Sequence, residues 1–172
     1  MTTLWNALTG RDLDSATLRL LGETEIFEDF TMRELETLYR FLHEREYLAG
    51  ETIFKQGEPG LGLYIIVRGK ISIRDEYEGR ELTELGGGHF FGEIALLNQI
   101  IRSATARAST DTLLLGLFQP GLFDLLERHP KLGVKLLLAL SQSAGMRIVE
   151  LSEEVAEARR AIKQLREEAR IA

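Results

Sequence analysis

The 172-residue sequence contains no cysteine. That excludes disulfides and thiol chemistry, and it is compatible with the cytosol. Long hydrophobic runs are also missing: residues 136–140 form one of the longest, far short of the roughly 20 residues that cross a bilayer. The N-terminus, Met1-Thr2-Thr3-Leu4-Trp5, has no basic region ahead of an apolar stretch, which argues against a secretory signal. These absences lead to the expectation of a cytoplasmic protein with no membrane partner. Basic residues are in deficit, and the net charge of -6 weighs against a nucleic acid partner, which needs a concentrated basic face. The deficit does not prevent binding of one small phosphate in an internal pocket. His43, His89 and His129 are scattered without ligand-like spacing, so no metal site or other cofactor is expected. No Gly-x-Ser-x-Gly elbow occurs, and no histidine lies near a plausible nucleophile in sequence. The expectation is a protein that is not an enzyme.

With 44% hydrophobic and 28% charged residues, the chain has the composition of an ordinary globular protein with one core and a small appendage. Residues 1–44 read as helical. A weak amphipathic pattern covers 12–21, with apolar Leu13, Leu18, Leu20 and Leu21. A stronger start signal follows. Thr31 and Glu34 match a capping box, with Phe30 and Leu35 at the hydrophobic-staple positions, and Leu35, Leu38, Tyr39 and Leu42 then give one apolar face.

From Arg45 to Phe118 the period changes to two. Runs rich in Ile, Val, Tyr, Phe and Thr are broken by glycine-bearing turns at residues 57–60, 68–69, 78–79 and 86–88. About eight short strands at this spacing predict a closed antiparallel β-roll or jelly roll with flanking helices, a mainly β fold of the α+β class. The apolar segment 90–97 interrupts the strand pattern and suits a short helical turn. The glycines elsewhere carry no nucleotide-loop signal. Gly69-Lys70 lacks the upstream glycine and the following Ser or Thr, and Gly60-Leu61-Gly62 lacks a third glycine and precedes a strand.

After Phe118 the helical period returns. A short helix over 121–129 is ended by Pro130, and a long helix starts near Lys131. The expected division is therefore N-terminal helices over 1–44, a β-roll with its short helix over 45–130, and a long helix over 131–172. That helix has a seven-residue repeat. One seam carries Ser141, Ile148, Val155, Ile162 and Ala169, the other Leu137, Ala144, Leu151, Ala158 and Leu165. β-Branched residues in one seam and leucines in the other predict a parallel two-stranded coiled coil, with Glu154 facing Arg159 of the partner. The helix could instead pack back on its own barrel, but the repeat runs beyond the length a small barrel covers. A homodimer through this helix is the expectation.

Residues 91–105 read Phe-Gly-Glu-Ile-Ala-Leu-Leu-Asn-Gln-Ile-Ile-Arg-Ser-Ala-Thr. Glu93 and Arg102 stand in an otherwise apolar neighbourhood, where a charge needs a partner in the protein or on a ligand. Gly92 permits close backbone approach, and the amides of 93–95 at the start of a helical turn can point at an anion. Arg102 supplies a planar fork suited to phosphate, and Ser103 and Thr105 add hydroxyls. Glu93 repels phosphate but can accept from a sugar hydroxyl. Two readings stay open at this point: a ligand with a phosphate beside a ribose hydroxyl, or a Glu93–Arg102 ion pair that only pins a loop.

The stretch from about Leu48 to Leu151 resembles the cyclic-nucleotide-binding domain family. The resemblance is carried by Gly50-Glu51, Ile53-Phe54, Gly57-Glu58, Leu63-Tyr64-Ile65-Ile66-Val67-Arg68-Gly69, Phe91-Gly92-Glu93-Ile94-Ala95-Leu96-Leu97 and Arg102-Ser103-Ala104-Thr105. It implies an eight-stranded β-roll that holds cAMP or cGMP. By that resemblance Glu93 meets the ribose 2′-hydroxyl and Arg102 the cyclic phosphate. Ser103 and the amides of Gly92 and Ala95 complete the shell, with Ile94, Ala104 and Leu82 also at the ligand. The long helix supplies dimer contacts and covers the base, where Arg147 either stacks on the purine or flanks the coiled coil. Ile101 departs from the proline many members place before the arginine. Only 21 residues follow Leu151, so a DNA-reading domain is not expected; a further protein partner for the tail is left open.

Overall fold

The computed structural model describes residues 15–98 and 100–171, the side chains of 97 and 167–171 excepted. The start of the helical pattern expected over 12–21 and the Ala169 seam position lie outside what is described. Among the described residues the elements run α1 (Ser15–Glu23), a single 3-10 turn (Glu25–Phe27), α2 (Met32–Tyr39), β1 (His43–Tyr47), β2 (Thr52–Phe54), β3 (Gly62–Arg68), β4 (Ile71–Asp75), β5 (Arg80–Leu85), β6 (Phe90–Phe91), α3 (Ile94–Leu97), β7 (Thr105–Ala108), β8 (Thr112–Phe118), α4 (Gln119–Arg128) and α5 (Pro130–Ile171).

The eight strands form two antiparallel four-stranded sheets, ordered β1-β8-β3-β6 and β2-β7-β4-β5. This is the β-roll with flanking helices that the period-two segment and its turns predict. The strand β3 explains how the layers stack. Residues Gly62 to Ile66 are all buried, so both faces of this strand are covered. Leu63 and Ile65, paired with Leu117 and Leu115 of β8, face a helical layer built from α1, α2, α4 and the first half of α5. Tyr64 and Ile66 point the other way, into a roll interior shared with Ile71, Phe91, Ala106, Ala108 and Leu114. Side chains alternate across a strand, so one sheet serves as the floor of two cores.

The local signals at α2 are realised. The Thr31 hydroxyl accepts from the Glu34 amide, and the Glu34 carboxylate accepts from the Thr31 amide at 2.8 Å. Phe30, Leu35, Leu38, Tyr39 and Leu42 are all buried in the helical layer. The same carboxylate receives Lys135 Nζ at 2.8 Å, and Lys135 also donates to the Asp29 carbonyl at 2.7 Å. This staple fixes α5 against the N-terminal helices. Chiefly through the Lys135 bond, and secondarily through the Thr31 amide, the Glu34 carboxyl is held below its ordinary value of 4.5. A carboxylate whose pKa is lowered by folding stabilises the fold above its unfolded pKa, and that contribution is lost as pH falls through the folded value. Urea unfolding at a series of pH values is therefore expected to show stability declining below about pH 4.5. Glu34→Gln should flatten that acid limb.

α5 has two halves. Leu132, Leu136, Leu140 and Ser143 are buried against the helical layer. Beyond Gly145, every residue from 146 to 166 is exposed. At about 1.5 Å per residue the 42-residue helix is roughly 63 Å long, well past the end of the roll. It contains an 18-residue window of mean hydropathy 1.3, which by length and composition alone is enough to cross a membrane. The expectation from short apolar runs did not anticipate this window, because the runs are broken by small and polar residues that still average apolar. The packing of Leu132, Leu136 and Leu140 places the first part of the helix in the protein core.

Candidate functional site

Gly92 has φ of +77°, a left-handed conformation that side chains disfavour. A Cβ there would also lie 2.5 Å from Arg102 Nη1. The glycine thus lets the chain turn sharply from β6 into the single-turn α3 while the Arg102 guanidinium passes beneath it. Arg102 is drawn into this place by its backbone. Its amide donates to the Glu58 carbonyl at 2.8 Å, its carbonyl accepts from Gly57 at 2.9 Å, and Pro59 bridges Ile101. The stretch 100–102 is therefore laced to residues 57–60 like a short strand, which fixes where the side chain starts.

The Arg102 side chain is only 6% exposed. Nη1 donates to the Gly92 carbonyl at 3.0 Å and Nη2 to the Gly62 carbonyl at 2.9 Å. The guanidinium lies 3.9 Å from the centre of the Phe54 ring, and its Nε has no hydrogen-bond partner. Burial pulls its pKa down from the ordinary value, while Tyr64 and Glu93 act in the opposite sense. Among the described residues no carboxylate pairs with it. The Glu93–Arg102 ion pair, one of the two readings open from the sequence, does not form, because Arg102 is turned under Gly92 toward carbonyl oxygens. Glu93, also buried, faces α5 instead and accepts from Arg147 Nη1 at 2.7 Å. The Arg147 guanidinium sits 5.4 Å from the Phe90 ring centre. Arg147 thus reaches from α5 back to the roll.

These side chains border a cavity of about 300 Å³, at the lower end of small-ligand cavities, which run roughly 300–1,000 Å³. Gly92, Glu93, Ile94, Ala95, Arg102, Ser103, Ala104 and Arg147 all line it. Leu82 does not. Its side chain is exposed, and the neighbours of opposite parity on β5, Thr83 and Leu85, face the cavity instead. A one-residue slip in strand register exchanges the two faces, and the irregularity between Ile73 and Arg74 in the β4–β5 pairing sets that register. Thr105 is likewise turned away, its buried hydroxyl accepting from the Gln56 amide at 3.0 Å. The Ala95 amide is partly used within the turn, donating to the Gly92 carbonyl at 3.3 Å.

Residues not anticipated include Phe54, Ile73, Thr83, Leu85 and Phe90, which make most of the wall apolar or aromatic. The alternation on β4 and β5 carried the signal, but only a known register makes it readable. Gly60 and Gly62 were also missed. A Cβ at Gly60 would meet Ala95 Cβ at 2.2 Å and Arg102 Nε at 3.3 Å, and one at Gly62 would meet the Leu117 carbonyl at 2.2 Å. Gly60 lets its loop lie close against Ala95 and Arg102, and Gly62 lets β3 lie close against β8.

Of the seam residues on α5, Ile148, Leu151, Val155, Ala158, Ile162 and Leu165 are exposed. Ala144 is half-buried. Leu137 is half-buried too and packs on the helical layer of its own chain. The buried stripe of α5 passes through 132, 136, 140 and 143, and Leu137 stands at its edge.

Comparison with known proteins agrees with this geometry. The family model described as the cyclic nucleotide-binding domain matches residues 44–129. The cyclic AMP receptor protein of Thermus thermophilus is 34% identical over 120 residues, covering 68% of this chain and 56% of that protein. A cyclic nucleotide-gated potassium channel of Rhizobium etli is 34% identical over 100 residues, covering 58% of this chain and 27% of the channel. The chain thus spans about half of the receptor's length and about a quarter of the channel's. Among solved structures, a cyclic nucleotide-binding domain from Methylobacillus flagellatus superposes with a TM-score of 0.70 at 26% identity, covering 81% of this chain and 80% of that one. With its two four-stranded sheets, its β6–α3 turn and its buried arginine, the chain belongs to the cyclic nucleotide-binding domain family.

Proposed function

We propose that this chain is a regulatory sensor that binds one cAMP or cGMP molecule per roll and works as a homodimer. Its ligand acts on α4 and α5, and it carries no catalytic activity. The observation that supports this most is Arg102: a buried guanidinium with no carboxylate partner and an unpaired Nε, at the edge of a small cavity. A buried charge without a counter-charge is costly, and a bound phosphate would compensate it. Glu93, across the same cavity, is the acceptor for ribose hydroxyls, and the apolar wall suits a base. Ser103 and the Gly92 and Ala95 backbone are the remaining polar contacts. The relatives named for cyclic AMP and cyclic nucleotides make this ligand class the first to test. The protein regulates a partner or an attached output from the cytoplasmic side and does not touch nucleic acid itself.

Titration calorimetry with cAMP and cGMP is the direct measurement, and no heat at millimolar nucleotide would sink the reading. For the dimer, sedimentation should give twice the chain mass, and Ile148→Glu with Leu151→Glu should give monomer. Both side chains are exposed on α5, so the roll should survive the change.

One observation favours a second reading, an interaction module that no longer takes nucleotide: Glu93 already has a partner in Arg147. That reading predicts no thermal stabilisation by any cyclic nucleotide, with dimerisation retained.

A further inference from the structure

We infer that Arg147 is an autoinhibitory latch that competes with the nucleotide for Glu93; the inference rests on the function proposed above. The Glu93 side chain is 7% exposed, and its carboxylate is held by Arg147 at 2.7 Å. A buried carboxylate is costly unless a partner compensates it. In this structure the compensation comes from α5, through Arg147 Nη1 on one carboxylate oxygen, and a ribose hydroxyl that donates to that oxygen displaces the guanidinium. The two partners therefore compete for that oxygen.

The position of Arg147 in α5 makes the exchange a signal. Upstream, the helix is held by Leu132, Leu136, Leu140 and Ser143 in the core and by the Lys135 staple to Glu34. Downstream of Gly145 the helix is exposed. A Cβ on Gly145 would meet nothing within 4 Å, so packing does not require a glycine there. Glycine in a helix interior weakens it by about 1 kcal/mol relative to alanine. The helix is thus weakest between its anchored half and Arg147, two residues on, which ties the exposed half back to the roll. Arg147 also borders a second cleft, of about 320 Å³, lined by Glu23, Glu25, Glu28 and His89. A guanidinium displaced from Glu93 meets carboxylates there without leaving the protein.

The alternative role, a cover stacked on the base, has the opposite sign in an experiment. A latch closed nine-tenths of the time lowers apparent affinity about tenfold. Arg147→Ala in the full chain is therefore expected to tighten cAMP or cGMP binding by roughly five- to tenfold in calorimetry. Weaker binding overturns the latch in favour of a base cover, and unchanged affinity overturns it outright. No binding by either protein overturns the proposed function, and the competition with it. A second readout needs no nucleotide. Because the chain has no cysteine, spin labels at Tyr77→Cys and Glu153→Cys report the distance from roll to α5. Arg147→Ala should broaden that distance distribution in the free protein, and an unaltered distribution overturns the tie to the helix.

Discussion

Arg102→Ala is expected to weaken cAMP or cGMP binding by about 30-fold to roughly 4,000-fold, the largest effect of any single change at the site. Truncating one member of a buried charge contact costs about 2–5 kcal/mol, and each 1.4 kcal/mol is tenfold in Kd. The lower bound would apply if water replaced the guanidinium. The geometry points higher, because Arg102 is only 6% exposed and enclosed by the Phe54 ring and two carbonyl groups. Arg102→Lys should recover little of the loss: an ammonium is a point donor and cannot reach Gly62, Gly92 and a phosphate from one plane. Calorimetry measures both variants. Wild-type affinity in Arg102→Ala would remove this residue from the ligand site. The fold should survive, since the carbonyls it leaves lie on a segment held by the backbone bonds between 57–60 and 100–102.

Gly62→Ala is expected to destabilise the fold by about 3 kcal/mol or more, at the upper end of overpacking costs. In a chain of this size that corresponds to a fall in Tm of roughly 6–12 °C. The obstruction is backbone: the new Cβ would lie 2.2 Å from the Leu117 carbonyl and 3.0 Å from Phe118 Cα, on the strand paired with β3. A flexible side chain could swing aside, but a paired strand cannot move without breaking its ladder. Because the Gly62 carbonyl accepts from Arg102 Nη2, affinity should fall along with stability. Gly86→Ala is the control, for a Cβ there meets nothing within 4 Å. Thermal unfolding of the two variants side by side decides the matter, and equal Tm values would refute the close-approach account.

Local signals in the chain were readable where one residue type acts on its near neighbours. The Thr31–Glu34 capping box, the apolar face through Leu35, Leu38, Tyr39 and Leu42, the turn glycines and the return to helix after Phe118 all depend on spacings of a few residues. Glu93 and Arg102 were readable for another reason: a buried charge in an apolar segment is costly, and its presence is itself a message.

What could not be read there involves partners far apart in the chain. Arg147 lies 54 positions from Glu93, and only the packing of α5 on the roll brings them together. Which carboxylate meets which guanidinium was decided by two sets of contacts: the bonds between 57–60 and 100–102 aim Arg102 at carbonyl groups, and the packing of α5 brings Arg147 to Glu93. The exchange of Leu82 for Thr83 and Leu85 follows from strand register, which depends on an irregularity opposite Ile73 and Arg74. Residue types and short spacings thus determined the roll, its helices and the cavity-lining segment 92–104. The tertiary structure alone decided which charges are paired and which strand face closes the cavity, because both are set by contacts between segments that sequence distance does not constrain.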